Sequence, residues 1–277
     1  MIESKLSIVL STHQAQFEAV AFKGDFEANL AKIAGWDYDG VELAIRDPDL
    51  INVDILETIL ACHGIKVPAI GTGQAWGEER LSFTNPDPEI RNTAINRIKH
   101  HIRLAKRLDA LVIIGLIRGV TPPGQSKQQS LDYLRKSLYE CIEDAGIHGV
   151  RLALEPLNRY ETDLIHTADE GLELIHQIDS PNFGLLLDTF HMNIEEQSIE
   201  NCITRSSAYI FHFHVADSNR WYPGGGHLDF GTILQTLKST GYSGWISGEF
   251  MPLPDPDTAA QRSIDLLKKV LPTNNIS

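Results

Sequence analysis

Four short apolar runs in the C-terminal half of the chain each close on a residue able to ligate a metal or carry a proton. They are Leu152-Ala153-Leu154-Glu155, Leu185-Leu186-Leu187-Asp188, Phe211-His212-Phe213-His214 and Ile246-Ser247-Gly248-Glu249. Any one of these alone reads more readily as a hydrogen-bonded core carboxylate or histidine. Their recurrence at one height on successive segments points instead to a common centre. Three buried carboxylates without a counter-charge repel strongly, and a divalent cation removes that cost. Oxygen-rich ligation with a single nitrogen suits Mn²⁺, with Co²⁺ and Mg²⁺ as alternatives, better than a thiolate-seeking ion. Because side chains alternate along a strand, His212 is expected on the face opposite His214, in a structural role. His13, just after the first apolar run, either lines the site or caps the segment that follows.

Something must bring these positions together, and the chain's alternation supplies it. Runs rich in Val, Ile and Leu occur at Leu6–Ser11, Val41–Ile45, Lys66–Ile70, Ala110–Leu116, Arg151–Leu157, Phe183–Thr189, Tyr209–Ala216 and Gly244–Phe250, separated by longer polar stretches of helical period. A run such as Ala110-Leu111-Val112-Ile113-Ile114-Gly115-Leu116 is apolar throughout, as strands buried on both faces of a parallel sheet are. Helix boundaries are legible at Asp25, which precedes an amphipathic run to Ile33, and at Asn85-Pro86-Asp87-Pro88, which opens a long helix to Leu108. Gly241 follows a helix ending near Ser239. Eight βα units without a composition break predict one (β/α)8 barrel over residues 1–277, a better match to this length than a doubly wound sheet. In such a barrel the C-terminal strand ends carry the active site. Thr273-Asn274-Asn275-Ile276-Ser277 reads as a frayed tail.

Composition narrows the function classes. The chain has 277 residues, 42% hydrophobic and 22% charged, and a formal charge of −13, which disfavours nucleic acid and anionic membrane surfaces as partners. Cys62, Cys141 and Cys202 are widely spaced and odd in number, so neither a disulfide framework nor a zinc cluster is indicated. No segment has the length and apolarity of a membrane span, and no secretory leader is visible, so a cytoplasmic location is expected. Homo-oligomerisation is compatible with the sequence.

The segments Glu155-Pro156-Leu157-Asn158-Arg159-Tyr160-Glu161, Asp188-Thr189-Phe190-His191-Met192-Asn193-Ile194-Glu195-Glu196, His212-Phe213-His214-Val215-Ala216-Asp217-Ser218-Asn219-Arg220 and Gly248-Glu249 resemble the signature of the ketose 3-epimerases, the tagatose/psicose group of xylose-isomerase-like barrels. The likeness is specific from Arg151 to Pro252 and mainly architectural before that. It implies metal ligation by Glu155, Asp188, His214 and Glu249, and substrate contacts by Glu161, His191 and Arg220. It further implies that Glu249 abstracts the proton at C3 of a ketose while Glu155 returns one from the opposite face, with the roles reversed in the reverse reaction. Three N-terminal segments, Ala44-Ile45-Arg46-Asp47-Pro48, Ile70-Gly71-Thr72-Gly73-Gln74-Ala75 and Ile113-Ile114-Gly115-Leu116-Ile117-Arg118-Gly119, look closer to the branch that epimerises 5-keto-L-gluconate to D-tagaturonate. Gly71-x-Gly73 lacks the third glycine of a nucleotide loop and reads as a turn.

Arg46, Arg118 and Arg220 all follow strand ends, where a guanidinium can bind a carboxylate bidentately, so a sugar acid is a candidate substrate. Asp47 could instead neutralise Arg46. Trp76, Trp221 and Phe250 are candidates for the cleft wall. Other chemistries on the same frame are an aldose–ketose isomerase of hydroxypyruvate type, a barrel endonuclease acting on abasic DNA, and a catalytically silent sugar-binding barrel. The acidic charge and the four-ligand set argue against the endonuclease, and the retained pair Glu155 and Glu249 argues against the silent barrel.

Overall fold

The computed structural model describes residues 4–271, so the tail 273–277 lies outside the described residues. Eight parallel strands pair in sequence order: β1 (Lys5–Ser11), β2 (Gly40–Ala44), β3 (Ala69–Gly71), β4 (Leu111–Ile114), β5 (Leu152–Leu154), β6 (Phe183–Asp188), β7 (Ile210–Val215) and β8 (Trp245–Gly248). β8 then pairs with β1, from Lys5 opposite Trp245 to Ile8 opposite Gly248, and closes the barrel. Each expected apolar run overlaps one of these strands, with bounds that differ by up to a few residues. The run at 110–116 is shorter than expected because Leu116–Arg118 turns into a 3₁₀ segment that carries the chain away from the barrel mouth. Cys62, Cys141 and Cys202 are free thiols, and among the described residues no helix is long and apolar enough to cross a membrane.

Local chemistry explains the helix starts. The helix Pro88–Leu108 opens as its sequence suggests, with Pro88 in the first turn and the Asp87 carboxylate accepting from the Glu89 N–H. Thr167 and Glu170 form a reciprocal capping box on the helix Ala168–Ile178. Asp25 does precede the helix Phe26–Gly35, but its side chain caps nothing. The stretch Gly73–Glu79, read from sequence as the sequel to a turn, is a short helix. It lies over the end of β3 and carries Trp76, Glu78 and Glu79.

Helices pack on the outside of the barrel through one large apolar cluster. A separate, smaller cluster of Ala69, Leu111, Ile113, Ala153 and Leu186, with Phe211 packed against it, fills the inside. This interior cluster lies beneath the strand ends, so the buried polar groups just above it face apolar side chains on that side. Two-residue steps along the strands then read directly: Ala153 leads to Glu155, Leu186 to Asp188, and His212 to His214. The expectation that His212 faces away from His214 is therefore corrected. Residues two apart on a strand share a face, and the β6/β7 register slips between Leu185 and Leu186 so that Leu186 pairs with His212. Phe211, the extra residue at this irregularity, joins the interior plug.

Gly184 on β6 makes room for that ring, since a Cβ there would lie 2.7 Å from three atoms of Phe211. Gly184→Ala is expected to cost about 1–3 kcal/mol by overpacking, and Phe211→Leu in the same chain should recover part of that loss. Denaturant unfolding of both single variants and the double variant measures the coupling. Purely additive losses would show that the two side chains do not compete for the same space.

Candidate metal centre and active site

Backbone pairing fixes where each ligand emerges. Asp188 is the last residue of β6 and is in register with His214 on β7. Glu155 and Glu249 stand one residue beyond β5 and β8, but their N–H groups continue the ladder by donating to Ile114 O at 3.2 Å and Val215 O at 3.3 Å. All four side chains therefore rest on sheet rather than on mobile loops. Gly115 opposite β5 leaves space for the first of them, because a Cβ there would approach Glu155 Oε2 to 2.9 Å.

The side chains converge. His214 Nδ1 lies 3.7 Å from Glu155 Oε1, 3.7 Å from Asp188 Oδ2 and 4.0 Å from Glu249 Oε2. Ligand atoms from all four residues fall within 4.8 Å of one another. Three of these atoms, Glu155 Oε1, Asp188 Oδ2 and His214 Nδ1, are buried and have no hydrogen-bond partner. Donors about 2.0–2.2 Å from a shared ion stand roughly 3–4.4 Å apart, so the cluster has the dimensions of a coordination shell. Orphaned buried acceptors on one point are the physical mark of a cation site, and the donor set of three carboxylates and one imidazole fits a hard or borderline divalent ion.

Electrostatics in the ion-free chain agree. Burial, then the charge of Glu249 and of Asp188, pushes the Glu155 carboxyl well above the usual range. Burial also raises Glu249, against the lowering effect of His214 and Arg220. Asp188 moves the other way, to about 2, because His214, His191 and Arg220 together outweigh its burial. Burial lowers His214, but Glu42, Asp188 and Glu249 more than reverse that, so its imidazole stays protonated well above the ordinary histidine range. Protons on His214 and on the Glu155/Glu249 pair thus hold the place of positive charge.

Around this cluster, three further residues expected from sequence stand at the cavity. His191, Glu161 and Arg220 line it together with Glu155, His214 and Glu249. The backbone N–H of Asn158 donates to His191 Nδ1 at 3.3 Å, so that nitrogen is an acceptor and the neutral ring carries its hydrogen on Nε2. The Asn158 amide adds a second donation to His191 Nδ1 at 2.8 Å and one to Glu161 Oε1 at 2.9 Å, while its Oδ1 accepts from Tyr160 N. His191 Nε2, 3.8 Å from Glu155 Oε1, is left without a partner. Burial, with the positive Arg220 as a further cause, holds the His191 pKa at about 4, so the ring is neutral near pH 7. Arg220 donates to Glu161 at 2.6 Å and reaches Glu249 at 3.4 Å. Its guanidinium lies 4.8 Å from the Phe190 ring and 5.2 Å from the Phe17 ring.

Other expectations meet a different placement. Arg118 is fully buried, donates to the carbonyls of Glu155 and Ile165, and does not line the cavity. It braces the backbone behind Glu155 and does not present its guanidinium to a ligand. Arg46 pairs with Glu78 at 2.9 Å and Glu79 at 3.3 Å, outside the cavity lining, while Asp47 pairs with Arg97 instead. His13 lies 3.6 Å from Glu78 and does not line the cavity. Trp76 borders the outer recess beside Phe17, Leu116 and Met251, whereas Phe250 is buried in the outer core. Sequence reading missed Glu42, a buried carboxylate inside the apolar strand β2 that lines the cavity and touches His214. A lone acid in a strand buried at all five positions was the available signal.

Comparison with known proteins places this architecture. The model of the xylose isomerase-like TIM barrel family matches residues 30–270. The D-psicose 3-epimerase of Ruminiclostridium cellulolyticum is 33% identical over 229 residues, covering 80% of this chain and 77% of that protein. A probable ketose 3-epimerase of Synechocystis sp. is 27% identical over 256 residues, covering 91% and 87%. A crystal structure of D-psicose 3-epimerase with D-tagatose from Clostridium cellulolyticum H10 superimposes with a TM-score of 0.82 at 26% identity, covering 97% of this chain and all of that one.

Protons that stand in for a cation must leave when one binds. Calorimetric titration of the ion-free protein with Mn²⁺ should show one site per chain and proton release, read from the dependence of the heat on buffer ionisation enthalpy. The shifts at His214, Glu155 and Glu249 are all upward, so affinity should fall as pH drops and rise as pH increases, until these groups are fully deprotonated. Asp188→Asn should weaken binding by more than roughly a hundredfold. Affinity independent of pH, with no proton released, would contradict this electrostatic account.

Proposed function

This chain belongs to the xylose isomerase-like TIM barrel family, among the ketose 3-epimerases, and on that premise we propose that it is a divalent-metal-dependent epimerase inverting C3 of a ketose. It is an enzyme of carbohydrate epimerisation; the position inverted, the ion and the substrate are our reading. The observation that carries the reading is geometric: two carboxylates, Glu155 following β5 and Glu249 following β8, enter one cation-shaped cluster from non-adjacent strands and line the same cavity. Inverting a carbon beside a carbonyl needs one group to remove a proton and another, already protonated, to return one from the opposite face. Two carboxylates can trade these roles, the one that has taken the proton in one direction being the donor in the reverse direction.

A cation held by Glu155, Asp188, His214 and Glu249, Mn²⁺ by preference, would supply Lewis acidity for the charge that develops on substrate oxygen as the C–H bond breaks. Around it the chain's own groups have separate tasks. Glu249 takes the C3 proton and Glu155 delivers one to the other face. His191, neutral and held by Asn158, points its Nε2–H at an oxygen near the carbonyl. Arg220 adds positive charge beside Glu249, and Glu161 accepts from a substrate hydroxyl while keeping Arg220 in place. Phe17 and Trp76 at the outer recess limit water access.

The lining also bears on substrate charge. Among the described residues its only guanidinium belongs to Arg220, which is already bonded to two carboxylates, and Glu42, Glu155, Glu161 and Glu249 make the walls acidic. Conversion of 5-keto-L-gluconate to D-tagaturonate would need a free cation for the acid group, and Arg46 and Arg118 are engaged elsewhere. A neutral ketose is therefore favoured over a keto-uronate.

The test incubates Mn²⁺-loaded protein in D₂O with psicose, tagatose, ribulose and 5-keto-L-gluconate, and locates deuterium by NMR. Inversion with deuterium at C3 of a neutral ketose is expected. Label at C1 or C2 with aldose formation would mark an isomerase, and turnover of the acid alone would overturn the substrate assignment. Glu155→Gln and Glu249→Gln should each lower turnover by about 10²–10⁴, with bound metal measured alongside. Near-normal turnover by either metal-replete variant would remove that residue from the proton path.

A further inference from the structure

Beneath the ligand cluster, two titratable side chains to which the reaction assigns no step, Glu42 and His212, meet around one of the ligands, His214. Glu42 on β2 and His212 and His214 on β7 are all buried. One oxygen, Glu42 Oε2, stands 2.8 Å from His212 Nε2 and 2.8 Å from His214 Nε2. A carboxylate oxygen offers only lone pairs, so each nitrogen facing it carries a hydrogen. For His214 this leaves Nδ1 as the atom directed at Glu155, Asp188 and Glu249, the same atom that has no partner. The three side chains could themselves be taken for a cation site, since they too cluster. Contacts of 2.8 Å between Glu42 and each imidazole are hydrogen bonds already made, and they leave no space for an ion between those atoms.

We propose that Glu42 is a positioning residue for the metal: it takes the Nε2–H of His214, fixes the ring's tautomer and tilt, and so turns Nδ1 toward the cation. This rests on the cation assignment above. Glu42 itself comes from β2, a strand that contributes none of the four ligands. A carboxylate bonded to the far nitrogen of a ligating imidazole increases that ligand's basicity as well as holding its orientation. His212 shares the same oxygen without belonging to the four-ligand cluster, which makes it the natural control.

The experiment measures Mn²⁺ affinity by calorimetry on ion-free protein, with folding checked by thermal unfolding. Glu42→Gln keeps the shape and an acceptor but removes the charge, and should weaken Mn²⁺ binding roughly ten- to hundredfold. His212→Phe should leave affinity within about threefold of the parent, since His214 keeps its partner. Equal losses in the two variants would mean that the group serves packing alone, and no loss in Glu42→Gln would remove Glu42 from the site. If Glu42→Gln does not fold, ¹H–¹⁵N correlation spectra of the Mg²⁺-loaded parent decide. A hydrogen on Nε2 of His214 supports the assignment, and a hydrogen on Nδ1 overturns it. Failure of the parent to bind Mn²⁺ at all would instead defeat the cation reading on which this one stands.

Discussion

Three carboxylates and an imidazole are held at one water-poor point by strands that cannot move apart, and their mutual repulsion is the constraint around which the molecule is organised. A loop could relieve it by swinging a side chain into solvent. Here Asp188 and His214 lie within the ladder, and Glu155 and Glu249 are bonded to its continuation. The interior plug of Ala69, Leu111, Ile113, Ala153 and Leu186 closes the space below, so the groups cannot sink into water-filled volume either. What remains is compensation by positive charge. Protons on His214 and on the Glu155/Glu249 pair provide it without an ion, and a divalent cation provides it with the geometry the orphaned atoms already have.

Surrounding residues act on this constraint in distinct ways. Arg118 ties the carbonyl of Glu155 to that of Ile165 from behind, which fixes the backbone from which the carboxylate projects. Ile165 adopts a left-handed φ of 57°, costly for a β-branched residue, and its carbonyl accepts from both Arg118 and the Leu157 N–H. Asn158 sits one turn away and sets the tautomer of His191 while touching Glu161. The loop between β5 and the helix Ala168–Ile178 thus carries Glu155 and Glu161, which face the cavity, and the contacts that orient them.

Periodicity made the frame and the ligands legible. Apolar runs of strand length separated by helical stretches can be counted, and residues that close those runs are pre-sorted by the barrel to one rim. Side-chain destination was harder to read. Arg46 and Arg118 both follow strand ends, yet one is consumed by Glu78 and Glu79 and the other by backbone carbonyls, partners brought near only by the fold. His212 was misassigned because the two-residue period places it on the same side as His214, and the β6/β7 irregularity brings Phe211 inward beside it. Glu42 escaped notice because it lies mid-strand rather than at a strand end. A charged residue in a fully apolar parallel strand has no solvent to reach, and that alone marks it as paired.

The position of a single bound ion is decisive. Two clusters compete for it on composition: Glu155, Asp188, His214 and Glu249, or Glu42, His212 and His214. Anomalous diffraction from crystals of the protein loaded with Mn²⁺ separates them without reference to activity. One peak within bonding distance of Glu155, Asp188, Glu249 and His214 Nδ1, with Glu42 still on Nε2, is the predicted result. A peak between Glu42 and His212, or no ordered peak in a saturated crystal, would contradict it.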